Sequence, residues 1–333
     1  MTTVTYYTSA DTSAPTLSDA AGALLGVLVA CLVNGYGSQS AAGWTKPAGA
    51  NTGAAANQAV LQQGGGNNFL VQIDDSAGTG TATYARAIGC SAQSAYGIAN
   101  MTNPFPSNAQ LAGGVYWPRF PYSSATSPSR WAVIATNKTF YMWNEGDGTN
   151  NGSQGYQQVF WFGDMDSFVS ADAHFTQIMG NTSAAQRTVI YTAMGSNTVG
   201  VFAEAAYDGS HLQIQQGILS DYIKNGSQAN MGGVTSWATS IVYPNPEDGA
   251  AYLSMIYTQE SVTGGNSVRG VCPGIWNPDF YSGTLVTPTF KSFDSIPGMS
   301  ADALHGKTFH YFILANAGTI EGGIVFETSN TWA

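Results

Sequence analysis

Three pairs of neighbouring acidic residues have the chemistry for hydrolysis, because two carboxylates a few ångströms apart can cleave a glycosidic bond. They are Asp74 with Asp75, Asp164 with Asp166, and Glu247 with Asp248. Each pair lies beside Gly, Pro or Ser, a setting that favours side-chain hydrogen bonds to a local turn. Asp164 and Asp166 also alternate as calcium ligands do, but the glycine and the closing glutamate of a calcium loop are missing. Turn formation is the predicted role of all three pairs.

Histidine and cysteine give no catalytic or metal-binding motif. The histidines are dispersed, and no Gly-x-Ser-x-Gly elbow accompanies them; they are His174, His211, His305 and His310. The three cysteines, Cys31, Cys90 and Cys272, are far apart and form no C-x-x-C pair, which predicts buried free thiols in a protein folded in a reducing cytoplasm. The sequence therefore predicts a protein that is not an enzyme, with no catalytic residue, no cofactor and no metal.

Charge is sparse along the whole chain of 333 residues. Asp, Glu, Lys and Arg make up 9%, and the net charge is −10, whereas a typical soluble domain is about 25% charged. The ten basic residues are scattered singly, which disfavours direct binding to nucleic acid. Abundant Gly and small polar residues are typical of proteins whose surfaces are covered by neighbouring subunits.

One long helix is predicted near the N-terminus, over residues 17–34. Ser18 or Thr16 would cap it, Asp19 would lie in its first turn, and Gly35 would end it. Apolar residues lie nearly all round this helix, which predicts burial. Its apolar run, 20–33, is too short to span a bilayer, so no membrane span is expected.

The remainder of the chain has the two-fold periodicity of β-strands. Residues 68–74 place Phe69, Val71 and Ile73 on one face and are predicted to form a hairpin with 81–90. Two further strands are predicted at 130–135 and 139–143, joined by a turn at Asn137-Lys138. Others are predicted at 156–162, 188–193, 200–206, 211–218, 239–243 and 252–257, and strands at 309–314 and 323–327 are predicted to form a final hairpin. Short helices are predicted near 170–174 and 219–224. The fold class is mainly β, with sandwich-like antiparallel sheets and one buried N-terminal helix. A division at 180–183 would give regions 1–180 and 181–333, although a single unit of this size is also compatible with the pattern.

Aromatic residues are the remaining candidates for interaction. They serve either as packing residues of the core or as exposed rings that stack on a sugar or a neighbouring subunit. Tyr36 and Trp44, near the helix end, are predicted packing anchors with polar tips. The full set of candidates is Tyr36, Trp44, Trp117, Tyr122, Trp131, Trp143 and Trp161.

Several segments, taken in order, resemble a group of tailed-bacteriophage virion proteins. They are Asn-Gly-Tyr-Gly at 34–37 with Ala-Gly-Trp-Thr at 42–45, Gly-Gly-Gly-Asn at 64–67 with Asp74 and Asp75, Phe-Gly-Asp at 162–164 with Ser167 and Phe168, Arg-Gly-Val-Cys-Pro-Gly at 269–274, and Gly-Lys-Thr-Phe at 306–309 with Glu-Thr-Ser at 327–329. The resemblance covers most of the chain. It implies a structural component of the tail, neck or capsid exterior, with no catalytic residues. The low charge and Cys272 between Gly270 and Pro273 depart from that pattern.

The predicted function is a non-enzymatic structural subunit of a tailed-phage virion, folded in the host cytoplasm and then located in the particle. Its partners would be copies of itself and other virion proteins. Two alternatives stay open at this point. One is a receptor- or saccharide-binding virion protein that uses exposed aromatics on a host surface glycan. The other is a polysaccharide hydrolase that uses Asp164 and Asp166.

Overall fold

A computed structural model describes residues 3–76, 83–120, 129–145, 157–183, 199–210, 214–219, 251–262, 265–280, 295–297, 307–316, 319–329 and 332. Several predictions fall outside these residues: Tyr122, Glu247 with Asp248, His211, His305 and the strands at 188–193 and 239–243. The predicted helix at 219–224 falls outside them too, except for Leu219.

Strands dominate the described chain, as predicted. In chain order they are β1 (Thr5–Thr8), β2 (Gln58–Gln62), β3 (Leu70–Asp74), β4 (Thr83–Cys90), β5 (Ala92–Gln93), β6 (Met101–Thr102), β7 (Val115–Phe120), β8 (Arg130–Ala135), β9 (Thr139–Glu145), β10 (Gln157–Asp164), β11 (Asp166–Ser167), β12 (Thr176–Asn181), β13 (Val199–Ala203), β14 (Ile214–Leu219), β15 (Ala251–Val262), β16 (Gly265–Phe280), β17 (Ser295–Pro297), β18 (Thr308–Asn316) and β19 (Thr319–Glu327). Within the described ranges, helical structure is limited to α1 (Ala23–Val29), a π-helical turn (Ala30–Asn34) and a 3₁₀ turn (Ile98–Asn100).

The strands pair antiparallel in three layers. The central layer runs β1-β8-β9-β10-β12-β13. A second layer, β2-β3-β4-β7, joins the centre through one pair, Tyr116 with Asn181. The third layer continues from β13 through β14, β15, β16, β19 and β18 to β17. The central layer is therefore covered on both faces.

Alternation along the central strands divides their side chains between two cores. In β9, Phe140 and Met142 enter the first core, which includes α1 and the β2-β3-β4-β7 layer. Tyr141 and Trp143 enter the second core, together with side chains of β15, β16, β18 and β19. Every residue of β9 is buried. A strand buried on both faces must be apolar at odd and even positions alike, which is what this sequence provides.

The predicted hairpins are confirmed where the structure describes them. β8 and β9 form a hairpin whose pairing begins next to the turn with Ala135 and Phe140 and continues to Arg130 and Glu145. β3 pairs with β4. β18 and β19 form the last hairpin. Phe69, Val71 and Ile73 all face the first core, as expected.

The helix prediction was too long, and its predicted cap was wrong. Residues 17–22 are not helical; Leu17 instead forms a β-bridge with Ser129. The residue before α1 is Gly22 at φ 86, and it has no capping side chain. An orphan amide of the first turn, that of Leu25, instead donates to Asp75 Oδ2 at 3.0 Å, so the cap comes from a residue that follows β3. Gly35, at φ 75, ends the helical segment as predicted.

The short helix predicted near 170–174 is also wrong, because these residues form turns. Asp172 Oδ1 accepts the amide of His174 at 3.1 Å. Such a local side-chain bond competes with helical hydrogen bonding.

Candidate binding pocket

A pocket of about 350 Å³ lies where the three layers come together at one end. Its polar wall includes Lys138 from the β8–β9 turn, Asp164 and Asp166 from β10 and β11, and Asn67 from the β2–β3 loop. Its apolar wall is formed by Met165, Phe175, Pro273 and Trp332. The lining of the pocket therefore combines hydrogen-bonding groups with an aromatic and aliphatic surface.

The glycines at 64–66 let the β2–β3 loop approach this wall closely. The Gly64 amide donates to Asn137 O at 2.8 Å. A Cβ on Gly66, which has φ 65, would collide with Asp164 Oδ2. The same carboxylate oxygen accepts the Asn67 amide at 2.9 Å. The glycine run therefore brings the loop onto an acidic side chain, where bulkier residues would clash.

Asp164 is the fixed centre of the polar wall. Its Oδ1 accepts Gln63 Nε2 at 2.8 Å and the Thr176 hydroxyl at 2.5 Å. Burial raises the pKa of Asp164, and these hydrogen bonds and nearby Lys138 oppose that rise. Because both carboxylate oxygens are occupied by donors, Asp164 is suited to holding three segments together and not to transferring a proton.

Asp166 and Lys138 differ from Asp164 in having no such partners. Among the described residues, neither the Asp166 carboxylate nor the Lys138 ammonium makes a hydrogen bond or an ion pair. Burial raises the pKa of Asp166, Lys138 lowers it, and Asp164 raises it further. Lys138 is thus close enough to act electrostatically on the carboxylate while its donors stay open to the pocket.

The apolar wall is held in place by its own contacts. Met165 and Phe175 are buried. The Trp332 indole donates to Glu327 O at 3.0 Å, and its ring lies against Gly274, where a Cβ would clash. Gly274 has φ 74, a conformation that favours glycine. These contacts give the wall a defined shape.

A buried arginine fixes the loop that carries Asp172 and Phe175. Arg269 donates to both Asp172 oxygens at 2.7 Å and to Ala205 O at 2.8 Å. Its guanidinium also lies 3.7 Å from Glu260 and 4.7 Å from the Phe175 ring centre. Asp172 borders the pocket, but this bidentate pairing offsets its charge there.

The tryptophans considered as either packing or interaction residues lie inside the protein where the structure describes them. Trp44, Trp117, Trp131, Trp143 and Trp161 are buried. Tyr36 is half-buried, and its hydroxyl donates to Asp11 at 2.8 Å. These side chains pack in the two cores and do not form an exposed stacking surface.

The other acidic residues and the cysteines singled out from the sequence have structural roles where the structure describes them. Asp75 is buried against Arg119, with 2.6 Å between Oδ1 and the guanidinium, while Asp74 accepts from Gln58 at 3.0 Å. The three cysteines are buried free thiols, and burial raises the pKa of Cys90 to about 12. Within the described part of the chain, no group of three or more His, Cys, Asp or Glu residues is placed to hold a metal ion.

Sequence reasoning did not identify Lys138, Phe175 or Trp332 as site residues. Lys138 was predicted only as part of a turn. Phe175 and Trp332 have no motif around them, and Trp332 is 194 positions from Lys138 in the chain (332 − 138). The one available signal was the Gly-Gly-Gly run before Asn67, which marks a close backbone approach.

Comparison with protein-family models finds no match for this chain, and comparison with curated proteins finds none either. No helix in the described ranges has the length and apolar character needed to cross a membrane.

Proposed function

We propose that this protein is a non-enzymatic structural subunit of a tailed-phage virion that assembles with copies of itself and with other virion proteins. The observation that carries the proposal is how its few charges are used. Four of the ten basic residues, Arg119, Arg130, Arg269 and Lys307, pair with acidic side chains that are at most 2% exposed. The exterior is thus even poorer in charge than the composition suggests, which suits surfaces that meet other subunits.

An exposed apolar surface along β15 supports the same proposal. We name it the outer patch, and its members are Phe168, Val169, Tyr207, Met255 and Val268. Met255 is on β15, Val268 is on β16 and pairs with Gln259 of β15, and the Phe168 ring centre lies 6.4 Å from that of Tyr257 on β15. Phe168 is 62% exposed and Met255 44%. Several large apolar side chains exposed on and beside a pair of strands are typical of interaction sites.

The two alternatives from the sequence receive less support. A stacking platform built from the central tryptophans would need them at the surface, and the five that are described are buried. Hydrolysis by Asp164 and Asp166 would need both carboxyl groups to be available to a substrate, whereas both oxygens of Asp164 already accept hydrogen bonds from the protein. We therefore retain the assembly role.

Assembly can be tested with purified protein and with phage particles. We expect analytical ultracentrifugation to detect species larger than a monomer, or an antibody against the protein to label one position on sedimented particles. The double substitution Phe168→Ser with Met255→Ser should weaken this association, because it removes exposed apolar area without touching either core. Ala109→Ser, an exposed change in the turn between β6 and β7, is the control. A protein that stays monomeric and never co-sediments with particles would contradict the proposal.

A further inference from the structure

We propose that the pocket between Asp166, Lys138 and Trp332 binds one neutral sugar residue of a glycan. The assembly role does not use this pocket, and the outer patch does not include its lining. Its volume, about 350 Å³, is at the low end of the roughly 300–1,000 Å³ common for ligand pockets. That size fits a single ring with its substituents better than an extended chain.

The two walls match the two kinds of surface on a sugar. Hydroxyl groups on the ring edge can donate to the Asp166 carboxylate and accept from the Lys138 ammonium. Both groups are unpaired within the described residues, so a ligand would not have to displace an existing ion pair. The C–H face of the ring can lie against the apolar wall, where the partly exposed Trp332 provides aromatic surface.

Electrostatics favour a neutral ligand over an acidic one. The pocket contains three carboxylates, those of Asp164, Asp166 and Asp172. Arg269 offsets Asp172 through two hydrogen bonds of 2.7 Å, and Lys138 offsets one more charge. One negative charge remains in excess, and it would repel a uronic acid, a sialic acid or a phosphate.

The fixed position of Asp164 argues for binding without cleavage. Its oxygens are held by Gln63, Thr176 and the Asn67 amide, so it supports the wall from behind. Asp166 is then the one acidic side chain with open acceptors, and hydrolysis of a glycoside ordinarily needs two carboxyl groups.

Saturation-transfer NMR and tryptophan fluorescence on the full chain test this inference. The probes are glucose, galactose, N-acetylglucosamine, glucuronic acid and, as an amine, lysine methyl ester. We expect at least one neutral sugar to bind with Kd on the order of 1 mM. Glucuronic acid should bind at least about tenfold more weakly because of the excess negative charge.

Variants locate the binding in this pocket. Asp166→Asn and Lys138→Met should each weaken sugar binding by about tenfold. Asp19→Asn makes the same chemical change at a residue that does not line the pocket and should leave binding unchanged. Circular dichroism and the melting temperature would show that each variant remains folded.

Three results would overturn the inference: no neutral sugar binds, the acid or the amine binds better than every neutral sugar, or sugar binding is the same in Asp166→Asn and Lys138→Met as in the parent. Because the isolated chain is used, such a failure would leave the assembly proposal untouched. Conversely, a monomer absent from particles could still bind the sugar.

Discussion

The two cores share the strands β8, β9 and β10. They differ in whether the polar atoms of their aromatic side chains have hydrogen-bond partners. In the first core, Trp44, Trp117 and Trp131 donate their indole N–H groups to backbone carbonyls at 2.7, 2.7 and 3.0 Å. The second core is mixed: the Trp332 indole that packs against it donates to Glu327 O at 3.0 Å, whereas Trp161 Nε1 and the Tyr6 hydroxyl have no partner among the described residues. Directional bonds fix the first core, whereas the second depends more on the burial of apolar area. The cores should therefore respond differently to equivalent substitutions.

Each core also has its own buried arginine. Arg119 pairs with Asp75, the same carboxylate that caps α1. Arg269, on β16 of the third layer, has two acidic partners, Asp172 and Glu260. Asp75 both pairs with Arg119 and caps α1, so its loss should be harder to compensate than a change at Arg269, which has two carboxylates around it. This contrast sets the order of the effects expected below.

The largest effect is expected for Asp75→Ala. It leaves the buried Arg119 charge uncompensated and removes the acceptor of the Leu25 amide, so unfolding should become easier by about 3–5 kcal/mol. Urea denaturation measures this change. Asp74→Ala is the matched control, because that half-buried neighbour makes only local and cross-strand hydrogen bonds and should cost less than about 1 kcal/mol. Equal losses in the two variants would contradict the role assigned to Asp75.

Restoring neutrality sharpens the same test. Asp75→Leu combined with Arg119→Met removes both charges, so the double variant should be more stable than Asp75→Ala. It should remain less stable than the parent, since the cap on α1 is still lost. A double variant as unstable as Asp75→Ala would mean that the cap, and not the ion pair, dominates.

Arg269→Met should have the next largest effect, a loss of about 3 kcal/mol in the free energy of unfolding. Burial already raises the pKa of Glu260, so this partner can take up a proton when the arginine is gone, which limits the loss. Arg269→Lys should not restore stability, because an ammonium cannot reproduce the bidentate pairing with Asp172. Arg86→Met, at a half-buried arginine bonded to Gly114 O at 3.2 Å, is the control and should cost about 1 kcal/mol.

The sequence was sufficient for the hairpins whose strands are joined by a clear turn. β8 and β9 have apolar residues at consecutive positions and a polar Asn137-Lys138 turn between them, so both their existence and their pairing could be predicted. β16 was missed because Gly270, Pro273 and Gly274 are typical of turns. The strand tolerates them because its pairing with β15 is irregular, with register shifts near Met255 and Thr258.

The helix cap and the pocket could not be predicted from local patterns. Asp75 caps α1 from 50 positions away, and capping rules read only the residues next to the helix. The pocket brings together Asn67, Lys138, Asp166, Phe175 and Trp332, which no fixed spacing connects. The position of such a site depends on how whole strands pair and how the layers pack, which local sequence patterns do not specify.

Replacing one tryptophan in each core should give a smaller but direct comparison. Trp117→Phe removes an indole that donates to Met179 O at 2.7 Å and leaves that buried carbonyl without this donor. Trp161→Phe removes an indole nitrogen that has no partner among the described residues. Both changes lose similar apolar area, so Trp117→Phe should cost about 1 kcal/mol more than Trp161→Phe in urea denaturation. Equal costs would show that the polar tips do not distinguish the cores.

The smallest effect expected is a pH dependence carried by His310, on the second-core side. Its ring stacks on Tyr6 with 4.6 Å between centroids, and its Nδ1 lies 3.0 Å from the Thr328 hydroxyl. Burial lowers the pKa of His310 below its usual 6.5, so the unfolded chain binds the proton more tightly. The resulting stability is present above about pH 6.5 and is lost as the pH falls through the folded-state pKa.

Acidification also protonates carboxylates whose pKa is raised by burial, such as Asp164 and Glu260, and this favours the folded state. The effect of His310 must therefore be measured as a difference between the parent and His310→Gln, with urea midpoints taken at about pH 7.5 and pH 5.5. The stability advantage of the parent should shrink at the lower pH by less than about 1 kcal/mol, because only the parent has an imidazole to protonate. If the parent is more stable than His310→Gln by the same amount at both pH values, the surroundings do not keep the imidazole neutral. The packing of Tyr6 on His310 would then make no contribution to stability that depends on charge.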